Sequence, residues 1–398
     1  MKILIFYASY GGGHFTAANS IKEYLEENYK DIDLKMIDCM KYINLNLEKV
    51  TTNAYKSMTK NAPKAWEAVY KISDKEPVLS ISNFGNKIMS QKLNKLVQDF
   101  KPDVVVSTHP FSTQMIAYLK HKNKITCKLA SVMTDYVPQN QWLVGHEYID
   151  YIFVASDEMK EMVKKCNVDE SKIYPTGIPI SSKFFKTYNK EDVAKEYNLD
   201  ANKNILLFFG GGEYGLVQKT TTDILKAFIN NLQDKYQMIV ISGKNEELKK
   251  RFQQIVDENN QNENVKVIGF SNEIPKLMNV STLAITKPGG LTTTECLNSN
   301  LPMVIINPIP GQEEDNARFI EKNGAGIWIK TDKIKELFIK EIEKTDLNIS
   351  FKSYDSIEKQ VKNILNNPKE IEQMRKNARK IAKPNSTKDI CNIIIEKE

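Results

Sequence analysis

Cysteine is scarce in this 398-residue sequence and follows no pattern. The five cysteines are odd in number and widely separated, at Cys39, Cys127, Cys166, Cys296 and Cys391. No Cys-x-x-Cys pair and no Cys/His ligand spacing is present. Because disulfide frameworks and structural zinc sites both need regular spacings, we expect neither here.

Long apolar runs are also lacking, although 41% of the residues are hydrophobic. No stretch approaches the ~18 consecutive apolar residues that a membrane span needs. The first residues are apolar enough to begin a signal peptide, but a glycine loop follows instead of a cleavage-site pattern. We therefore expect a first buried strand in a cytoplasmic protein. The length allows two domains of ordinary size.

Arginine is scarce as well, and the positive charge is concentrated in one segment. Residues 41–101 contain eleven lysines, five acidic residues and no arginine, an excess equal to the whole formal net charge of +6. Large apolar residues, including Tyr42, Leu45 and Trp66, lie among these lysines. This mixture suits an anionic membrane surface, although a solvated helical pair with one apolar side gives the same pattern. The shortage of arginine argues against a nucleic-acid partner.

Strand and helix patterns alternate through both halves of the chain. The predicted strands of the first half are Ile3–Tyr7, Leu34–Ile37, Val104–Ser107, Leu129–Met133 and Ile152–Ala155. Those of the second half are Ile205–Phe209, Met238–Ile241, Val265–Ile268, Thr282–Ile285 and Met303–Ile306. Between the two series, residues 172–180 contain Pro175, Gly177 and Pro179, which indicates a crossing between domains. The alternation predicts an α/β protein with two parallel, doubly wound sheets. Their carboxyl ends would face a shared cleft.

The most informative stretch begins at Thr286. A buried strand is followed by Pro288, Gly289 and Gly290, and a helix then starts near Leu291. Free backbone N–H groups at such a helix start point at one place and suit an anion. Glu295 falls one turn further, within reach of sugar hydroxyls. The stretch therefore predicts a diphosphate beside a ribose, as in a nucleotide-sugar site.

A second glycine run, Gly11 to Gly13, connects the first strand to its helix. It is neither a P-loop nor a dinucleotide fingerprint, since the required spacings are missing. His14, one of only four histidines, would stand at the helix N-terminus. That position disfavours the imidazolium and leaves a neutral ring able to accept a proton. His14 is thus a candidate catalytic base, with a capping or loop histidine as the alternative.

Two further titratable residues end strands at the same edge. Asp135 could orient His14 or the substrate, act as the base itself, or cap a turn before Pro138. His109 precedes Pro110 and could be catalytic or structural. Asp31 and Asp33 resemble a metal-binding pair, but they precede the second strand and lie on the wrong side for the cleft.

Glycine turns also end strands in the second half. Gly210, Gly211 and Gly212 follow a strand and could contact a diphosphate through their N–H groups. Ser242, Gly243, Gly269 and Phe270 end the next two strands, where they could line a nucleotide base. Turn formation alone would also explain them.

The ordered set of motifs resembles glycosyltransferase family 28, in particular its diacylglycerol glucosyltransferase and monogalactosyldiacylglycerol synthase group. The motifs that carry the resemblance are Ala8 to His14, Thr108 to Pro110, Val132 to Tyr136, Thr176 to Pro179, Thr286 to Gly290, Glu295, Pro310 to Glu313 and Asn316. The second half is also similar to the lipid-linked N-acetylglucosaminyl transferase of peptidoglycan synthesis.

The resemblance implies the GT-B architecture, in which two Rossmann-like domains face each other across a cleft. It implies inverting transfer of a hexose, with glucose favoured and galactose as the alternative, from a UDP-sugar to 1,2-diacylglycerol, without metal or other cofactor. His14 first and Asp135 second would be catalytic, and His109 and Tyr136 would lie on the acceptor side. Residues implied for the UDP-sugar are Gly13, Gly211, Gly212, Ser242, Gly269, Phe270, Lys287, Gly289, Gly290, Leu291, Thr292, Glu295, Gln312, Glu313 and Asn316.

The domain organisation follows from the same resemblance. We expect residues 1–176 to bind the acceptor and, through segment 41–101, an anionic membrane at its inner, cytoplasmic face. Residues 177–383 would bind the UDP-sugar, and a helix within 384–398 would pack back on the first domain. The alternatives are a family-28 transferase acting on a peptidoglycan lipid intermediate and a UDP-sugar-binding regulator at the membrane.

Overall fold

The computed structural model describes residues 1–61, 65–66, 68, 72, 89–211, 219–330 and 355–396. Much of the basic segment 41–101, and Gly212, lie outside these residues. The described strands form two six-stranded sheets in which every pairing is parallel. The predicted pair of parallel, doubly wound sheets is therefore confirmed.

The central strands of the first sheet are largely buried, as expected of parallel strands covered on both faces. Its strands are β1 (Lys2–Tyr7), β2 (Asp33–Asp38), β3 (Val104–Ser107), β4 (Lys128–Val132), β5 (Tyr151–Phe153) and β6 (Ile173–Tyr174). The second sheet contains β7 (Asn204–Phe209), β8 (Tyr236–Ile241), β9 (Val265–Ile268), β10 (Leu283–Thr286), β11 (Met303–Ile305) and β12 (Gly326–Trp328). Strands β6 and β12 were not predicted.

Helices connect the strands and cover both sheets. In the N-terminal half they are α1 (Gly12–Asn28), α2 (Cys39–Ile43), α3 (Leu45–Asn61), α4 (Pro110–His121), α5 (Asn140–Leu143) and α6 (Asp157–Lys164). Residues 89–100 are also helical. In the remainder they are α7 (Lys190–Glu196), α8 (Lys219–Asn230), α9 (Glu246–Glu258), α10 (Ile274–Val280), α11 (Gly290–Asn298), α12 (Gln312–Lys322), α13 (Ile357–Asn366), α14 (Pro368–Ile381) and α15 (Ser386–Glu396). No helix within the described ranges is both long enough and apolar enough to span a bilayer.

The strand order places one reversal point in each sheet. The first sheet runs β2-β1-β3-β4-β5-β6, so the winding direction reverses between β1 and β3. The second runs β12-β11-β10-β7-β8-β9 and reverses between β10 and β7. In open parallel sheets, ligands bind beside the carboxyl ends of the strands at such points. The two glycine-rich turns after β1 and after β10 both lie there.

Alternate residues along the strands feed different cores. In β1, Ile3 and Ile5 belong to one apolar cluster while Leu4 and Phe6 belong to another, and all four are fully buried. The cluster that contains Leu4 and Phe6 continues into the C-terminal half through Leu291 and Phe319. Each such buried side chain contributes about 1.5–3 kcal/mol relative to an exposed one. The two halves are therefore joined by continuous apolar packing.

The chain returns to the first sheet after completing the second. Helix α15 packs against α1, and Ile390, Cys391 and Ile394 are fully buried in the core of the first sheet. At the crossing, Gly177 has a φ of +93°, and a Cβ there would lie 2.5 Å from the Cβ of Lys383. Thr387 exchanges hydrogen bonds with the backbone of Ile180 at 3.1 and 2.8 Å. The boundaries 1–176, 177–383 and 384–398 stay predictions.

Candidate active site

His14 is held in one tautomer at the reversal point of the first sheet. Its Nδ1 lies 2.6 Å from the carbonyl oxygen of Thr108, which can only accept, so Nδ1 carries the proton. The hydroxyl of Thr134 lies 3.2 Å from the same nitrogen. Nε2 is therefore left with its lone pair, the form that a general base needs. Burial lowers the pKa of His14 to about 4, and the Thr108 carbonyl opposes this only in part. The ring is thus neutral at physiological pH.

His109 is held in the tautomer opposite to that of His14, with its proton on Nε2. Its Nδ1 accepts a hydrogen bond of 3.1 Å from the N–H of Phe111 and so caps α4, which leaves the proton on Nε2. Its ring packs edge-on against His14, with ring centres 4.5 Å apart. Burial, with the neighbouring His14, holds the pKa of His109 well below its usual value. His109 can donate a proton to a hydrogen bond but is not arranged to abstract one.

Asp135 does not orient His14 in this structure, since Thr108 and Thr134 occupy that role. Its Oδ1 instead accepts a hydrogen bond of 2.9 Å from the side-chain amide of Asn316, across the cleft. Burial raises the pKa of Asp135 to about 6; the Asn316 bond opposes the shift, and the charges of Glu313 and Asp315 add to it. The carboxyl group is therefore both buried and tied to the C-terminal half.

Tyr136 also faces the C-terminal half. Its hydroxyl lies 2.9 Å from that of Thr294, and its ring stacks on Phe319 with centres 4.5 Å apart. The side chain is buried, so Tyr136 joins the two halves in this structure. Its predicted place on the acceptor side stays a prediction.

The predicted donor side lies at the start of α11. Gly289 occupies the N-cap position and provides no side-chain cap, and the first N–H groups of a helix have no intrahelical acceptor. Leu291 approaches the glycine loop of the N-terminal half, and a Cβ at Gly13 would lie 3.3 Å from its side chain. The predicted anion site and the glycine loop that carries His14 are thus neighbours. Lys287 and Thr292 flank the same turn.

Glu295 lies one turn into α11. Its carboxyl group makes no hydrogen bond or ion pair within the part of the chain that the structure describes. Burial alone raises the pKa of Glu295 to about 8. A half-buried carboxyl group without a partner is costly unless a ligand completes it. Ribose hydroxyls are donors of the right kind.

Gln312 and Glu313 begin α12 beside that turn. Gly311 has a φ of +92°, which lets the chain turn sharply into the helix. The Oε2 atom of Glu313 accepts a hydrogen bond of 2.6 Å from the N–H of Ile309. Burial raises the pKa of Glu313, and the charge of Lys287 opposes this. Asn316, one turn on, is fully buried, and its amide is fully used by protein partners.

Gly210, which follows β7, and Ser242, which follows β8, both have structural roles. A Cβ at Gly210 would lie 2.2 Å from the ring of Phe252, so packing alone requires glycine there. Ser242 is buried, and both its N–H and its hydroxyl donate to the carbonyl of Ile268.

The loop backbones and one aromatic ring line this edge. A Cβ at Gly243 would lie 3.5 Å from the carbonyl of Gly211, and one at Gly269 would lie 3.6 Å from that of Gly243. Phe270 is 60% exposed, with the Lys244 ammonium 5.2 Å from its ring centre. An exposed ring here could stack on a base. Gly212 lies outside the described residues.

The structure brings the predicted base, the glycine loop and the predicted donor turn to one place. Sequence reasoning missed the Thr108 carbonyl and Thr134, which orient His14, and Thr294, which meets Tyr136. Thr108 belongs to the motif Thr108 to Pro110, but that motif does not indicate that the backbone carbonyl of Thr108 would orient His14. Within the described ranges, no three His, Cys, Asp or Glu side chains converge as a metal site would require.

Comparison with known proteins identifies both halves. Residues 14–180 match the family described as monogalactosyldiacylglycerol (MGDG) synthase, and residues 205–390 match the glycosyltransferase family 28 C-terminal domain. The processive diacylglycerol beta-glucosyltransferase of Bacillus cereus (strain G9842) is 33% identical over 352 residues, which cover 85% of this chain and 84% of that protein.

Two solved structures share the fold over the full length. MurG of Acinetobacter baumannii has a TM-score of 0.60 at 13% identity, with 100% of both chains covered. The UDP-GlcNAc 2-epimerase from Neisseria meningitidis, bound to UDP-GlcNAc, has a TM-score of 0.59 at 12% identity, again over 100% of both chains. At these identities the likeness is one of fold, and it confirms the GT-B architecture. The predicted enzyme class, a glycosyltransferase, is confirmed as well, and the chain belongs to the diacylglycerol glucosyltransferase and monogalactosyldiacylglycerol synthase group of glycosyltransferase family 28.

Proposed function

We propose that this enzyme transfers glucose from UDP-glucose to the free hydroxyl of 1,2-diacylglycerol and forms a β-glucosyl lipid. The observation that carries the proposal is the fixed tautomer of His14. Its Nδ1 proton is held by the Thr108 carbonyl, which leaves Nε2 as an acceptor, and the adjacent residue Gly13 lies against Leu291 at the start of α11. A base beside an anion-binding helix start is what displacement of a nucleoside diphosphate requires. The name of the Bacillus cereus relative supports diacylglycerol as acceptor and glucose as the sugar.

The donor would occupy the turn after β10. The diphosphate would accept hydrogen bonds from the first N–H groups of α11, which are uncapped at Gly289. The ribose hydroxyls would donate to Glu295, whose carboxyl group has no partner in the described protein. Gln312 and Glu313 would contact the sugar hydroxyls. The N–H groups at the start of α11 would stabilise the negative charge of the leaving phosphate without a cation.

The reaction we propose is a single in-line displacement. The diacylglycerol oxygen attacks the anomeric carbon and forms the new glycosidic bond. The bond from that carbon to the UDP oxygen breaks, and its electron pair leaves with UDP. The hydroxyl proton passes to Nε2 of His14. Attack opposite the leaving group inverts an α-linked donor and gives the β-product.

The acceptor would reach this site from an anionic membrane at the cytoplasmic face. Phe15, next to His14, is 45% exposed, and Val50 on α3 is 66% exposed. Tyr42 and Leu45 are exposed on the same part of the N-terminal half. Large apolar side chains among lysines favour an interfacial surface. This part of segment 41–101 therefore supports a peripheral membrane attachment.

The assay is incubation with diacylglycerol in vesicles of phosphatidylglycerol and phosphatidylcholine, followed by mass and NMR analysis of the lipid. Parallel reactions would contain UDP-glucose, UDP-galactose, or a peptidoglycan lipid intermediate in place of diacylglycerol. We expect a β-glucosyl lipid from UDP-glucose. Absence of product on diacylglycerol with either sugar donor would overturn the proposal. UDP-glucose binding without product would instead indicate a regulator.

The role of His14 has its own test. His14→Ala should lower kcat by about 10²–10⁴-fold, the usual contribution of a positioned base, while UDP binding stays unchanged. Thr134→Val serves as the matched variant, because it removes the weaker contact to Nδ1 and leaves the Thr108 carbonyl in place. Near-normal turnover of His14→Ala would remove His14 as the base.

A further inference from the structure

One turn of the N-terminal half is seated directly on the donor half. It consists of Thr134, Asp135 and Tyr136, which follow β4. A Cβ at Gly290 would lie 1.8 Å from the carbonyl oxygen of Thr134, so the turn and the start of α11 are in backbone contact. The two predicted substrate sides thus touch at this point.

Asn316 connects this turn to the donor loop through all of its amide. Its Nδ2 donates to Oδ1 of Asp135 at 2.9 Å and to the carbonyl of Pro288 at 3.0 Å. Its Oδ1 accepts from the N–H of Tyr136 at 2.9 Å. Two N–H donors and a carbonyl acceptor therefore bind one residue of α12 to both loops. Asn316 is fully buried, so water does not replace these bonds.

A second set of contacts fixes the same turn from the other side. The Tyr136 hydroxyl meets that of Thr294 on α11 at 2.9 Å, and the Tyr136 ring stacks on Phe319 of α12. The turn therefore contacts both α11 and α12, the helices that carry the predicted donor-side residues. Its position sets the distance between the His14 region and the start of α11.

We propose that Asn316 is a positioning residue that holds Asp135 and its turn in register with the donor turn at Pro288. In this arrangement Asp135 acts through its hydrogen-bonded oxygen and not as a proton acceptor. The inference rests on the proposed function, in which His14 is the base. It gives Asp135 and Asn316 a shared role, because the hydrogen bond between them joins the N-terminal turn to α12.

The decisive comparison is between Asp135→Asn and Asp135→Ala. The asparagine keeps an oxygen that can accept from Asn316 but has no basic carboxylate, whereas alanine loses both. We expect kcat of Asp135→Asn to exceed that of Asp135→Ala by about tenfold or more, because the retained oxygen still accepts from Asn316. Asp135→Ala and Asn316→Ala should each lower kcat about 10- to 100-fold, as expected when a buried partner is left unpaired. The double alanine variant should lower kcat by less than the product of the two single effects, because both single variants remove the bond between Asp135 and Asn316.

Donor binding separates positioning from direct contact. The dissociation constants of UDP and UDP-glucose, measured by calorimetry, should be unchanged in Asn316→Ala. If the affinity for UDP-glucose falls while that for UDP does not, Asn316 contacts the sugar and the inference is wrong. If Asp135→Asn is as inactive as Asp135→Ala, Asp135 is needed as a base and the inference is equally wrong. Native kcat in Asn316→Ala would also overturn it.

A distance measurement tests the link without any turnover. Cys166 is exposed and the other four cysteines are buried, so Cys166 can be labelled selectively. A second label at Glu263→Cys, an exposed site in the C-terminal half, gives an inter-half distance by energy transfer. Asn316→Ala and Asp135→Ala should broaden or lengthen that distance, and Asp135→Asn should not. An unchanged distance in both alanine variants contradicts the link, even if the enzyme proves to act on another acceptor.

Discussion

Gly290→Ala adds a single methyl group where the backbones of the two halves of the enzyme are in contact. The new Cβ would lie 1.8 Å from the carbonyl oxygen of Thr134, 2.9 Å from its carbonyl carbon and 3.1 Å from Oδ1 of Asp135. Ordinary contact needs about 3.4 Å or more, so the turn and α11 must separate by about 1.6 Å. Neither atom of Thr134 belongs to a flexible side chain that could move aside. The methyl group must therefore open the interface.

Such a separation is larger than the tolerance of the bonds beside it. The Asn316 bonds to Asp135, Pro288 and Tyr136 measure 2.9–3.0 Å. Lengthened by about 1.6 Å, those that cross to the N-terminal turn exceed the ~3.5 Å limit of a hydrogen bond. A misplacement of about 1 Å at a reaction centre can cost about 10²-fold in rate. We therefore expect kcat of Gly290→Ala to fall about 10²-fold.

The assay compares turnover on diacylglycerol vesicles with thermal unfolding and the inter-half distance. Alanine is a better helix former than glycine, so α11 itself should not be weakened. Gly289→Ala is the matched control for the distance, because its Cβ would meet only Glu313, at 3.9 Å. We expect that variant to keep the native distance and Gly290→Ala to lengthen it. Native turnover together with a native distance in Gly290→Ala would refute the reasoning.

Three further predictions concern pH and folding. The pKa of Glu295 is raised to about 8, and ribose hydroxyls favour its ionised form. UDP-glucose should therefore bind more tightly as pH rises toward 8, and Glu295 should release a proton on binding. Calorimetry of Glu295→Gln should show weaker, pH-independent binding. With donor saturating, kcat/KM for the acceptor should fall with decreasing pH near the pKa of His14, about 4; a fall near 6 would point to Asp135 instead. Gly177→Ala should lower the free energy of unfolding by about 2 kcal/mol or more, because φ is +93° and Lys383 blocks the Cβ; equal urea midpoints would contradict this.

Most of the fold could be predicted because most strands are short, predominantly apolar segments separated by helical patterns. The predicted ranges of β3 and β9 match the structure at both ends. Strands β6 and β12 escaped because they contain only two and three residues, and one begins with glycine while the other is followed by Pro175. Strands so short depend on pairing with β5 and β11, which a single sequence does not display.

The candidate site was predictable where its signals are local. Each glycine turn is encoded by a few consecutive residues, and so is the place of His14 near a helix start, while their roles in binding and catalysis stay predictions. The bond between Asp135 and Asn316 joins residues 181 apart. Likewise, the need for glycine at position 290 comes from a carbonyl in the other half. Such contacts exist only after both sheets have folded and met.

The packing of α15 on the first sheet has a consequence for the order of synthesis. Ile390, Cys391 and Ile394 complete a core that otherwise consists of residues 1–174. During translation, part of one apolar face of the first sheet therefore stays uncovered until the whole second sheet has emerged from the ribosome. A nascent chain halted after β12 should expose that face to chaperones. The half that is proposed to meet the membrane would be finished only when the half that is proposed to bind the donor already exists.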